Sequence, residues 1–436
     1  MKKLVLMAAA IFALSVQPAF SADLYVSLAN GKNKNAGTQA EPLKNIWKAI
    51  EKAQPGDTIH IAEGLYPGKM RCGWFSMDKP VNLVGGYSPD FAVRDPLKHQ
   101  VLLQPLNKNN DKKGKFGILE IMFRNVRGYD ITIDGLLFDD GQASTYHLTK
   151  GKPEGLETGM WLPPPAKGTE QELPSRDRYM LYASLDPSTE GNLTIRNCAF
   201  VNGSNFAVEI GAFKGKVEMT NNIFVNNRMV AANVTSKNGK PGEVNWVFKN
   251  NTVLFTWSRL SDYADMGYAV RANTGVNCEF SNNIFGLNVG TGVDNTLGNA
   301  KTKNIAIDNN VFFLNKTSDV QMTVSPNIVK VNVELFEDLE GTDGINSIEE
   351  NIDLQDPNVF AGRINPTYLD AFLNASYSEQ TFSNPNSPAN TLRSVLGLPQ
   401  RGTIVTKVSM FANRYPFQEA LKVFGAMPEY GAQNIQ

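Results

Sequence analysis

Between Asn192 and Asn315 apolar and polar residues alternate with a period of two, and paired asparagines interrupt the alternation at recurring intervals. Five segments share one frame: Leu193-Thr-Ile-Arg-Asn-Cys-Ala-Phe200, Val217-Glu-Met-Thr-Asn-Asn-Ile-Phe224, Trp246-Val-Phe-Lys-Asn-Asn-Thr-Val253, Cys278-Glu-Phe-Ser-Asn-Asn-Ile-Phe285 and Ile305-Ala-Ile-Asp-Asn-Asn-Val-Phe312. A sixth, Ile131-Thr-Ile-Asp-Gly-Leu-Leu-Phe138, carries Gly135 where the others carry Asn197, Asn221, Asn250, Asn282 and Asn309. A period of two marks a strand, because successive side chains leave opposite faces. Asparagine and glycine both enter the left-handed backbone region that a sharp turn demands. Each segment therefore predicts a strand, a two-residue turn and a second strand.

The closing apolar residues Phe138, Phe200, Phe224, Val253, Phe285 and Phe312 are separated by 62, 24, 29, 32 and 27 residues. Units of this length that differ only by loop insertions predict a stacked solenoid. Asparagine fills 24 of the 124 positions from Asn192 to Asn315, as expected if each amide bonds those above and below it in a ladder. The ends need covering, since open coils leave unpaired strand edges. Ile46, Ala49, Ile50 and Ala53 share one helical face ahead of Pro55-Gly56 and predict an N-terminal capping helix. The frame vanishes near Phe336, and Phe417 to Phe424 has a short helical pattern. Residues 23–335 are thus expected to form the solenoid with its cap, and residues 336–436 a less regular C-terminal covering segment of the same domain.

Other stretches carry a family likeness. They are Leu24-Tyr-Val-Ser-Leu-Ala-Asn-Gly31, Glu41-Pro-Leu-Lys-Asn-Ile46, Gly56-Asp-Thr-Ile-His-Ile-Ala-Glu-Gly-Leu-Tyr66, Asp356-Pro-Asn-Val-Phe360, Asn386-Ser-Pro-Ala-Asn390 and Pro428-Glu-Tyr-Gly-Ala432. Together with the repeat frame, they resemble the right-handed parallel β-helix, or pectate-lyase-like, superfamily and its secreted bacterial members. The resemblance implies an all-β, right-handed, single-stranded parallel β-helix. It also implies a substrate groove lined by the strand that follows each loop.

Composition narrows the classes. With 42% apolar and 19% charged residues the chain can build a large core, and a formal charge of −1 gives no reason to expect a nucleic-acid partner. Residues 1–22 run from Lys2-Lys3 through an apolar stretch to Ser21-Ala22, the pattern of a secretory signal peptide. No second apolar run approaches a membrane span, and no cysteine follows the cleavage point, so a secreted or periplasmic monomer is expected. Cys72, Cys198 and Cys278 are too scattered for a disulfide framework or a Cys-x-x-Cys site and read as small buried residues. His60, His99 and His147 leave little room for a zinc centre, and no Gly-x-Ser-x-Gly elbow supports a serine triad.

The frame places the groove strands at 179–184, 206–211, 229–234, 268–273 and 291–295. Aligned on their apolar residues, Tyr182, Glu209, Asn233, Arg271 and Asp294 form one outward row, with ranks about 4.7 to 4.9 Å apart. Glu209, Asn233 and Asp294 are the candidate metal ligands, their oxygens suiting a hard cation, and the resemblance implies calcium as the one cofactor. Arg271 and Arg259 are the candidate catalytic residues, and Tyr182, Trp257, Tyr263, Tyr268 and Arg178 the candidate substrate contacts. Insertions at 141–178 and 254–267 flank the row, while Lys214, Lys216, Lys237, Lys240, Lys301 and Lys303 give the opposite edge a basic rim. The expected partner is an acidic polysaccharide, bound and cleaved by β-elimination. Hydrolysis ranks lower because Glu209 and Asp294 lie three ranks, about 14 Å, apart. The alternative from another class is a non-catalytic β-helix that binds glycans or another surface.

Overall fold

The computed structural model describes residues 21–69, 74–105, 117–124, 126, 128–141, 179–185, 190–258, 266–297, 303–324, 326–376, 384–400 and 414–435. Residues 1–20 of the expected signal peptide, and Cys72, lie outside the described residues.

Among the described residues the strands fall into three sheets of ten, nine and nine strands, and each full coil contributes one strand to each. One such coil runs from Tyr179–Ser184 in sheet three to Gly191–Arg196 in sheet one and Ala199–Val201 in sheet two, then returns to sheet three at Val208–Ala212. Neighbouring coils pair parallel in matched register, for example Leu193 with Val217 and Phe200 with Phe224. Among the described strands, the antiparallel ladder joins Ser318–Val324 to Asn327–Val331 at the end of sheet three. This is the all-β parallel β-helix that the repeat frame predicts.

The paired asparagines divide their work. The first asparagine of the four pairs, at Asn221, Asn250, Asn282 and Asn309, and Asn197 at the equivalent place before Cys198, have φ between 50° and 56°, and Gly135 has φ 69° at the equivalent turn. The second is fully buried at Asn222, Asn251, Asn283 and Asn310, and there the ladder forms. Asn222 donates to Asn251 (2.9 Å), Asn251 to Asn283 (3.3 Å), Asn283 to Asn310 (2.9 Å) and Asn310 to Asn351 (3.2 Å). Each of the first four also donates to a carbonyl of the preceding strand: Ile195, Met219, Phe248 or Phe280. First-position amides link only between Asn221 and Asn197 (2.7 Å), while Asn250 reaches out to the Glu429 carbonyl instead.

Two apolar cores follow from the strand pattern. Inward residues such as Phe138, Phe200, Phe224, Phe285 and Phe312 fill the coil, where Phe138, Phe200 and Phe224 stack with centroids 4.8 and 4.9 Å apart. The sheet-two strands from Leu136–Asp139 to Val311–Phe313 are buried on both faces, because outward Leu137, Val201, Ile223, Leu254, Ile284 and Val311 pack against the C-terminal segment. Its helices Pro366–Ser376 and Pro388–Val395 supply Leu369, Phe372, Leu373 and Leu392 to this second core, with Phe255 wedged against Tyr368 and Phe372. The C-terminal segment therefore runs along the side of the coil over sheet two. The helix Ile46–Lys52 forms as expected and buries Ile46, Ala49 and Ile50 in the first core.

Cys198 and Cys278 are free and buried, and burial pushes the Cys198 thiol up to about 12. Among the described residues, no helix is long and apolar enough to cross a membrane.

Candidate functional site

Sheet three carries a row of polar side chains across consecutive coils. Register pairs Glu120 with Tyr182, Tyr182 with Glu209, Glu209 with Asn233, Asn233 with Arg271, Arg271 with Asp294, and Asp294 with Gln321. Ser76 extends it one rank further, beside Glu120. Apolar core residues flank most members, as Val208 and Ile210 flank Glu209, while Asp294 sits between core Val293 and buried Asn295. The five residues aligned from the sequence thus occupy one continuous row. Glu120, Gln321 and Ser76 are additional, and the triplets Leu119-Glu120-Ile121 and Val320-Gln321-Met322 carry the same apolar-polar-apolar signal.

The middle of the row is a hydrogen-bonded chain. Asn233 Nδ2 donates to Glu209 Oε2 (2.6 Å), and Asn273 Nδ2 donates to Asn233 Oδ1 (2.8 Å) and the Val234 carbonyl (2.8 Å). Arg271 Nε meets Asp294 Oδ2 at 2.6 Å, and Gln321 Nε2 and the Thr296 hydroxyl donate to Asp294 Oδ1 at 2.9 and 2.7 Å. The Arg271 guanidinium lies 5.0 Å from the Tyr268 ring centroid, a cation–π distance. Half-buried Tyr179 and Tyr182 stack at 5.3 Å, and Phe206 meets Tyr179 edge-on.

Burial pushes the Glu209 carboxyl up to about 7, although Asn233, Arg271 and Lys237 each pull it down. Burial likewise pushes Lys237 below its usual range, with Glu209 opposing, and raises Tyr182, where the Glu209 charge adds to burial. Away from the row, Asp319 is raised to about 7 by burial, against the opposing pull of its bonds to Asn315 and the Val333 N–H. In the unfolded chain these carboxyls ionise near 4.3 and 3.9, so between about pH 4 and pH 7 the folded protein holds the extra protons. Stability should therefore fall as pH rises through that window and level off above it. Glu209→Gln should raise the unfolding free energy measured by urea at pH 8 relative to the parent, by up to about 3 kcal/mol, and give no gain at pH 4.

The expected metal set does not fit one cation. Glu209 and Asp294 stand three ranks apart with Arg271 between them. Both Asp294 oxygens already face donors, and the Asn233 oxygen faces Asn273. Among the described residues, no three carboxylate, imidazole or thiol groups come together as a metal shell. Asp139 and Asp140 serve turns: Asp139 accepts from the Gly141 N–H and the Asn202 and Gln104 amides, and Asp140 from Ser204.

Trp257 is not a substrate contact either. It is 1% exposed in the second core, at the corner where it bridges to Arg228, and cannot stack on a sugar. Trp257→Ala should cost about 3 to 5 kcal/mol in thermal or urea unfolding while leaving ligand binding at the row unchanged. Most of the supposed basic rim is neutralised. Lys214 pairs with Glu190, Lys216 with Glu218 and Lys240 with Glu243, and Lys303 is buried against Asn295 and Asp343. Lys237 lies beside the row, donating to the Ser184 hydroxyl near the Phe213 ring. Arg178, Arg259, Tyr263 and Lys301 lie outside the described residues, as do His147 and Arg176.

Residues 29–88, which include the helix Ile46–Lys52 and strands of the first coils, match a family described as protein of unknown function, DUF1565. No curated protein matches the chain. Among solved structures it is similar to the pectate lyase Pel9A, at 13% identity over 78% of this chain and 91% of that one, with a TM-score of 0.29. It is also similar to a GH136 lacto-N-biosidase from Eubacterium ramulus, at 11% identity over 76% of this chain and 68% of that one, with a TM-score of 0.26. The chain's own architecture shows the fold: three mostly parallel sheets stacked coil upon coil around left-handed asparagine turns make this protein a parallel β-helix.

Proposed function

We propose that the protein acts on a polysaccharide laid across the ranks of sheet three, with Glu209 exchanging the proton and Arg271 supplying the neighbouring positive charge. The observation that carries this reading is Glu209 itself, a carboxyl pushed up to about 7 in the middle of a polar row. Such a group accepts and returns protons near neutral pH, where an ordinary carboxylate is too weak a base. Half-buried Tyr179, Tyr182 and Tyr268 offer ring faces beside it.

On an acidic sugar the chemistry is β-elimination. Glu209 takes the proton next to the sugar carboxylate, the C–O bond to the neighbouring sugar breaks, a C=C bond forms, and the departing oxygen takes up a proton. Arg271 pairs with Asp294, and an arginine guanidinium keeps its proton in proteins, which suits it to stabilise developing negative charge and not to act as the base. Glu120 favours one other reading, inverting hydrolysis. It stands two ranks from Glu209, about 9.5 Å, at the upper edge of the separation that such enzymes use.

The test is to incubate the protein with alginate, pectate, glycosaminoglycans and neutral glycans while following reducing ends and the ultraviolet absorbance of unsaturated uronates. Both signals rising together support elimination, and reducing ends alone support hydrolysis. Neither binding nor cleavage on any polymer would overturn the proposal.

A further inference from the structure

Asn273 lies two residues beyond Arg271, just past the end of its strand, and is buried. Its carboxamide orientation is fixed by chemistry. One partner is the Val234 carbonyl at 2.8 Å, a group that only accepts, so the atom facing it must be Nδ2. That same nitrogen lies 2.8 Å from the Asn233 side chain, which must therefore present its oxygen. The Asn233 NH2 is then left facing Glu209 Oε2 at 2.6 Å. Turning the Asn233 amide over would set NH2 against NH2 on the Asn273 side and oxygen against oxygen on the Glu209 side.

We infer that Asn273 is a positioning residue, holding the Asn233 amide with its NH2 toward Glu209 and so keeping a hydrogen-bond donor on that carboxylate throughout the working cycle. This rests on the reading of Glu209 as the reacting group. A donor held on the carboxylate stabilises its ionised form, against the burial that disfavours it. The other groups that bear on Glu209 are Arg271 and Lys237, which favour the anion, and Tyr182, whose own ionisation the Glu209 charge opposes. Without Asn273, the Asn233 amide is free to present its oxygen, which only a protonated Glu209 can satisfy.

The primary readout needs no substrate. Carbon-detected NMR of the Glu209 carboxyl, titrated in the full chain, should give a midpoint in Asn273→Ala higher than in the parent by about half a unit or more. Asn233→Ala should raise it at least as far, and adding Asn273→Ala to Asn233→Ala should raise it no further, because Asn273 acts through Asn233. An unchanged midpoint in folded Asn273→Ala, or equal shifts that simply add, would overturn the inference. Should Asn273→Ala fail to fold, the parent still decides: the Asn233 NH2 resonances should move with the Glu209 midpoint, and resonances indifferent to it would contradict the arrangement. If the Glu209 midpoint shifts while the pH–rate profile stays put, the positioning role stands and the catalytic reading of Glu209 fails.

Discussion

Replacing Asn251 with Leu should destabilise the protein by about 3 to 6 kcal/mol, whereas replacing its chain neighbour Asn250 with Gly should change stability by less than about 1 kcal/mol. The two are the same residue type in the same turn, yet their work differs. The Asn251 oxygen accepts from the Asn222 backbone N–H and from the Asn222 amide, both at 2.9 Å, and its NH2 donates to the Met219 carbonyl at 2.9 Å. Leu preserves the volume and removes these three bonds together with the longer one to Asn283 Oδ1 (3.3 Å), leaving buried donors and acceptors unmatched at roughly 1 to 3 kcal/mol each. Asn250 has φ 50°, where glycine is at ease, and its side chain makes one exposed bond, to the Glu429 carbonyl. Urea midpoints of the two variants, measured side by side, check the contrast. Equal losses would mean that the ladder does not run through the second asparagine.

Glu209→Gln should lower turnover about 10²- to 10⁴-fold while leaving polysaccharide affinity nearly unchanged. Glutamine keeps the shape and can still face the Asn233 amide through its oxygen, so the hydrogen-bonded row is preserved. What it lacks is a proton that can be given up and taken back. Initial rates and binding isotherms on the same polymer separate the two quantities. A loss of affinity with turnover intact would make Glu209 a contact and not the reacting group.

Much of this was legible because a solenoid makes distant residues neighbours at a fixed spacing. Once the paired asparagines anchored the frame, the register of Tyr182, Glu209, Asn233, Arg271 and Asp294 followed from apolar alternation alone. Glu120 showed the same alternation but precedes the Asn-Asn frame, so nothing tied it to the row. What stayed hidden depends on contacts that no repeat encodes. Trp257 is buried by a segment more than a hundred residues later in the chain, and Lys303 by Asp343 in another loop. The burial that raises Glu209, and the amide chain through Asn273, depend on side-chain placement that alternation cannot supply.

The most direct test of the account is where a sugar binds. Crystals of Glu209→Gln, grown with an oligosaccharide of the polymer on which the parent is most active, should show sugar rings on the outer face of sheet three, crossing the ranks of Tyr182, Glu209, Asn233 and Arg271. Sugar bound instead on the outer face of sheet one, with the row untouched, would contradict it.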